Sequence, residues 1–277
     1  MNALNPTPQN WQALLKLRFS AGQDKTRMIP QRRYGPLSVQ RAFYPEGETC
    51  HVYLLHPPGG VVGGDRLDLQ VAIDAQAQAL LTTPGATKFY LSAGEFAEVE
   101  QQFDLAQDAA LEYLPQENIY FPGALVNIKT TLDVDASSHL ILWEKHCLGR
   151  PANNEVFDTG KIISRLELRA DKRLLFHETQ RIDAAEIQSA SGLRGEPVMA
   201  TLLVYSNRLQ KQWLDDLREY QPDSGIAGIT QPLPNLLLVR YLGDSTDAVN
   251  RYFIALLDVL RPRVLGRKPC HPRIWNT

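Results

Sequence analysis

The sequence predicts a mainly β protein whose strands stack into a helix-like coil, with two amphipathic helices in its C-terminal third. Three observations lead there. Between residues 37 and 182, short segments alternate apolar and polar side chains and are broken by Gly, Pro and acidic turns, the pattern of half-buried strands. Within that stretch a strand, turn and returning strand recur at a nearly fixed spacing, as stacked units do. Beyond it, two segments change to the helical period.

The alternation is clearest in Leu67-Asp68-Leu69-Gln70-Val71 and in Leu132-Asp133-Val134. The repeat aligns Leu80-Leu81-Thr82-Thr83-Pro84, Leu111-Glu112-Tyr113-Leu114-Pro115, Leu140-Ile141-Leu142-Trp143-Glu144 and Leu174-Leu175-Phe176-His177-Glu178, whose starts step by 31, 29 and 34 residues. A short polar turn precedes each segment. Such a unit buries neither face alone, so neighbours must stack. Four hairpins of a β-sandwich would give the same turn spacing, and periodicity leaves both arrangements open. The first helix is predicted over 207–220, where Leu209, Trp213, Leu214, Leu217 and Tyr220 share a face. The second, over 244–261, carries Val249, Tyr252, Phe253, Leu256, Leu257 and Leu260, with Ser245 or Thr246 as cap and Pro262 as stop. At 277 residues the chain is read as one domain, 1–277.

Hydrophobic residues make up 44% and charged residues 22%, an ordinary globular balance that excludes a largely disordered chain. A net charge of −2 supplies no basic field, so nucleic acid is not an expected partner. No run reaches the roughly 20 apolar residues that cross a bilayer, and residues 1–12 show no basic-then-apolar export pattern. Cys50, Cys147 and Cys270 are too few and too scattered for a disulfide framework. A cytoplasmic setting is expected.

The glycine-rich segment His56-Pro57-Pro58-Gly59-Gly60-Val61-Val62-Gly63-Gly64-Asp65 matches neither a P-loop nor a dinucleotide fingerprint and reads as a rigid inter-strand turn. Asp65 suits such a turn by accepting backbone amides. Glu144 and Glu178 hold the same place in consecutive repeat units, so stacking would bring two carboxylates to one side, where they repel or share a cation. Carboxylates suit a divalent ion that is held loosely; pairing of each acid with a nearby Lys or Arg is the plainer alternative. The six histidines show no HxH, HxxxH or HExxH spacing. Two adjacent pairs, His146-Cys147 and Cys270-His271, are the remaining metal candidates, and no Gly-x-Ser-x-Gly elbow supports a hydrolase.

These residues carry a family resemblance. Leu37-Ser38-Val39-Gln40-Arg41-Ala42-Phe43-Tyr44-Pro45-Glu46 and the segment from Cys50 to Asp65 resemble the signature of the urease accessory protein D family, UreD or UreH. Thr83-Pro84-Gly85-Ala86-Thr87-Lys88-Phe89-Tyr90, Leu114-Pro115-Gln116-Glu117, Phe121-Pro122-Gly123-Ala124, Cys147-Leu148-Gly149-Arg150-Pro151 and Pro272-Arg273-Ile274-Trp275 follow in family order. The resemblance implies a non-catalytic, mostly β fold that joins UreF and the GTPase UreG on apo-urease and passes nickel through an interior channel, with no cofactor held tightly. It further implies that Asp65, Glu144 and Glu178 stand along a transient nickel path. The chain departs from the pattern at Ala42, where Pro is usual, and at Leu91, where Arg is common. Two rivals remain: a β-helical enzyme acting on acidic polysaccharide, and a nickel store built on His51, His56, His146 or His271.

Overall fold

The computed structural model describes residues 10–276; the export reading of residues 1–12 falls mostly outside them, and the single-domain reading of 1–277 is described only over that span. In chain order the strands begin with β1 (Gln12–Ala21), β2 (Thr26–Tyr34), β3 (Ser38–Val39), β4 (Cys50–Leu55), β5 (Arg66–Ile73) and β6 (Gln78–Thr82). They continue with β7 (Thr87–Phe89), β8 (Ala97–Leu105), β9 (Ala110–Tyr113), β10 (Asn118–Tyr120), β11 (Leu125–Val134) and β12 (His139–Arg150). The last are β13 (Glu155–Val156), β14 (Lys161–Ala170), β15 (Arg173–Ile182), β16 (Val198–Tyr205), β17 (Ile226–Leu233) and β18 (Leu236–Gly243). Among the described residues three α-helices accompany them: α1 (Ala184–Gln188), α2 (Trp213–Arg218) and α3 (Thr246–Leu265).

The central strands form a coil. β1, β5, β8, β11 and β14 pair in parallel as one sheet, while β4, β6, β9 and the first half of β12 pair in parallel as the other. Short β7 and β10 and the second half of β12 close a third side. The turns between the sheets repeat: Ala77, Ala109 and Ser138 each donate a backbone N–H to the residue three before them, Asp74, Ala106 and Asp135. The coil ends in antiparallel additions, β15 on one sheet and β16–β18–β17 on the other, with β2 flanking β1. The parallel pairing is that of the stacked coil and not of four hairpins in a sandwich.

Two sequence expectations need correction. Leu111 pairs with Leu140 as aligned, but Leu80 pairs with Glu112, one residue further on. The fourth segment does not continue the stack, since β15 turns back antiparallel on β14. Asp171 and Lys172 both take positive φ, 48° and 66°, which closes a two-residue hairpin of the primed type instead of a sheet-to-sheet turn. Glu144 and Glu178 are therefore not equivalent positions of consecutive units. A rung that the alignment missed, β4, pairs His51 with Leu80.

α3 lies on the outer face of the β12–β16–β18 sheet, burying Val249, Tyr252, Phe253, Leu256, Leu257 and Leu260 against Ile141, Trp143, Ala200, Leu202 and Val239. Ser245 caps it by accepting the Ala248 N–H at 3.2 Å. Pro262 does not stop it: a proline this near the end forfeits one intrahelical bond, and the helix runs to Gly266, whose positive φ of 68° forms the left-handed cap. The helix predicted over 207–220 shrinks to α2, with Leu214 and Leu217 buried. The short α1 escaped the sequence reading, although Asp183 accepts the Ala185 and Glu186 N–H groups as a cap at 3.0 Å.

Arg261 of α3 is 1% exposed and pins the helix and the C-terminal segment to the coil. Its Nε and Nη2 donate to both oxygens of Glu112 on β9, at 2.7 and 3.1 Å, and Nη2 also reaches Glu46 Oε1 at 2.5 Å. Removing one member of a buried ion pair leaves the other uncompensated. Arg261→Met is expected to lower the unfolding free energy by about 3–5 kcal/mol, and adding Glu112→Leu to recover most of it, as read from urea midpoints.

Candidate functional site

Inside the coil, the inward side chains form two apolar clusters, one around Leu17, Val71, Phe103, Leu132, Leu140 and Leu203, the other around Val61, Phe89, Val126, Ile128, Leu148 and Ile162. A band of polar side chains runs between them. On the first sheet, register aligns Leu15, Leu69, Gln101, Thr130, Leu166 and Glu178 in one inward row. On the facing sheet it aligns Glu144 with Thr201 and Thr201 with Arg240.

The two rows meet through side chains. Thr130 Oγ1 donates to Glu144 Oε1 at 2.7 Å, Tyr113 donates to Gln101, and Arg240 Nη1 lies 2.7 Å from Glu178 Oε1. Burial pushes the Glu144 carboxyl up to about 7; the Glu178 charge adds to this and the Thr130 hydrogen bond opposes it. The Glu144 charge also helps to raise the buried phenols of Tyr113 and Tyr120. The Tyr120 hydroxyl meets His146 Nδ1 at 2.7 Å, and burial pushes that imidazole down to about 4.

Two cavities border this band. The first, of ≈ 290 Å³, is lined by Leu69, Gln101, Tyr113, Ile128 and Glu144, together with His56, Gly59, Gly60 and the 83–89 segment. The second, of ≈ 370 Å³, is lined by Gln180, Met199, Thr201, Gly228 and Arg240. Glu144 borders the first and Thr201, its partner on the adjacent strand, borders the second. Neighbouring strands lie about 4.8 Å apart, so little more than one side chain separates them.

Of the sequence-derived residues, Glu144 and Glu178 thus face one another from opposite sheets, a different route to the same neighbourhood. Asp65 lies elsewhere. It is 1% exposed, and its two oxygens accept the backbone N–H groups of Trp11 at 2.8 Å and Val62 at 3.0 Å. That carboxylate ties β1 to the glycine-rich return loop, where Gly64 takes a φ of +88° and a Cβ at Gly60 would strike the Tyr90 ring. Between this loop and the band stands His56, whose buried Nε2 has no hydrogen-bond partner and whose pKa burial lowers against the pull of Asp65.

The adjacent metal candidates do not converge. Cys270 turns towards Glu46 and His51, while His271 pairs with Asp258 at 2.6 Å. Donor atoms of Glu46, His51 and Cys270 lie within 4.8 Å of one another, yet Glu46 Oε1 already takes His51 at 2.6 Å and Arg261 at 2.5 Å. Burial opposes ionisation of Glu46, and these two hydrogen bonds outweigh it and hold the carboxyl near 2. A guanidinium fills the place that a metal would need. Cys147 faces α3, away from the band.

Gln101, Thr130, Thr201 and Arg240 escaped the sequence reading. Each interrupts an otherwise apolar inward series, as Thr130 does among Val126, Ile128, Leu132 and Val134. That break in phase was the available signal.

The chain matches the family described as UreD urease accessory protein over residues 12–276. It is 40% identical over 288 residues to "Urease accessory protein UreD" of Aliivibrio fischeri (strain MJ11), covering 100% of both chains. The protein of the same name from Klebsiella aerogenes is 42% identical over 274 residues, covering 99% of this chain and 100% of that one. That of Alcanivorax borkumensis is 42% identical over 275 residues, covering 97% and 93%.

Glu144→Gln keeps the Thr130 hydrogen bond and removes the charge. The folded carboxyl keeps its proton up to about pH 7 while the unfolded one loses it from about 4.5, so wild-type stability falls across that window and is level above it. Urea unfolding is expected to show the variant gaining on the wild type between those pH values, by up to about 3 kcal/mol above pH 7.

Proposed function

The chain belongs to the UreD urease accessory protein family, and on that premise we propose that it serves urease maturation as a scaffold that makes no bonds itself and conducts nickel towards apo-urease. In this reading it works in the cytoplasm with UreF and with UreG, the GTPase that releases the ion. Nickel is cargo, and no cofactor is held tightly. Among the described residues no helix is long and apolar enough to cross a membrane. The three relatives above are named urease accessory proteins, and none is named for an action on polysaccharide.

One observation carries the conduit: Glu144, which lines the first cavity, opposes Glu178, whose partner Arg240 lines the second. The chemistry of the band agrees with transit. Carboxylate, hydroxyl and amide oxygens hold a divalent ion less tightly than thiolates do, and among the described residues no cysteine lines either cavity. Burial raises the cost of a lone carboxylate there, which makes the site receptive to a cation that compensates it. Apolar clusters on both sides confine the ion to the band. Asp65 contributes by fixing the rim of the first cavity, since its oxygens are already engaged by amides.

The double variant Glu144→Gln/Glu178→Gln, coexpressed with urease and the other accessory proteins, is expected to copurify with UreF as the wild type does while urease recovers only a small fraction of its nickel and activity. Full nickel loading by a folded double variant removes the conduit. Loss of copurification instead assigns these residues to assembly.

A further inference from the structure

A path for cations is an unusual place to find a guanidinium. Arg240 sits on the inward face of β18, in series with Leu236, Leu238 and Leu242, and lines the second cavity. Its Nη1 lies 2.7 Å from Glu178 Oε1, with side-chain exposures of 43% for Arg240 and 23% for Glu178. Opposite it on β17 stands Gly228, where an added Cβ would meet nothing within 4 Å, so the guanidinium has open space to swing into. Thr201 separates it from Glu144, which carries no ion pair and is held by Thr130 alone among the described side chains.

We propose that Arg240 is the gate of the conduit: in the empty protein its guanidinium stands in for a cation on Glu178, and a divalent ion reaches the second cavity by displacing it. This rests on the conduit reading above. The charge balance explains why a gate of this kind is needed. With Glu178 paired, the second half of the band presents no free carboxylate, and a cation waiting beside Glu144 meets a positive charge ahead of it. Once the ion takes Glu178, Arg240 is released towards the open side at Gly228, and its return to Glu178 after the ion has passed restores the barrier. Lysine at this position would keep the charge but lose the planar, several-donor grip of arginine. Arg240 is a positioning residue in this account, acting through Glu178.

Titration of the purified full-length chain with nickel chloride, followed by calorimetry, tests the gate. Removing the built-in competitor should tighten nickel binding by about fivefold in Arg240→Gln and in Arg240→Met, the scale of a partly exposed ion pair. Arg240→Lys should return to within about twofold of the wild type, since it restores the competing charge. In the Glu178→Gln background the Arg240→Gln change should lose its effect, which a purely structural role would not produce. Unchanged or weaker binding in both neutral Arg240 variants, with normal thermal unfolding, overturns the gate. If Glu144→Gln and Glu178→Gln each weaken binding while the Arg240 variants do not tighten it, the gate fails and the conduit stands. If neither glutamate variant alters binding, the conduit itself fails, and the gate with it.

Discussion

Taking a carboxylate out of water inside a β coil is costly unless something compensates it, and this constraint organises the interior. The stacked strands deliver inward positions in pairs of facing rows. Most of those positions carry Leu, Val, Ile or Phe and close the two apolar clusters. Where polar side chains break the rows, three pairs form between opposite sheets: Tyr113 with Gln101, Thr130 with Glu144, Arg240 with Glu178. Glu144 has no ion-pair partner among the described residues, and burial, with the Glu178 charge, pushes its carboxyl up to about 7.

The same constraint separates the charges that build the fold from those of the proposed conduit. Arg261, Glu112, Glu46 and His51 are as deeply placed as anything in the band, but their donors and acceptors satisfy one another and hold α3 and the C-terminal segment to the coil. Asp65 belongs with this structural group, its oxygens spent on two backbone amides. The band differs because Gln101, Tyr113 and Glu144 line one cavity and Thr201 and Arg240 line another. Burial alone therefore does not separate the two groups; burial beside empty volume does.

The coil was legible in the sequence because its units are local: alternating strands and short polar turns announce themselves within a few residues. What lay beyond reach was set by register. Whether Leu80 faces Leu111 or Glu112 is decided by one residue of turn geometry, and whether β15 stacks or folds back is decided by Asp171 and Lys172 taking positive φ, which neither residue type signals strongly. Glu144 and Glu178 were picked out as neighbours for an incorrect reason, equivalence in a repeat, and the structure brings them together by opposing two sheets. Arg240 had no signal at short range except that it interrupts Leu236, Leu238 and Leu242, and only the pairing of β16 with β18 aligns it with Glu144. The helix ends show the same limit, since Ser245 was readable as a cap while Pro262 was overridden by the buried Val264 and Leu265 beyond it.

The central claim is that a divalent ion passes between two opposed carboxylates in the interior. Anomalous diffraction at the nickel edge, from crystals of the protein with UreF soaked in nickel, tests it most directly. The account predicts a partly occupied peak between Glu144 and Glu178, with Arg240 moved off the latter. Nickel found solely at surface sites such as His271 and Asp258, with the interior band unoccupied, would contradict it.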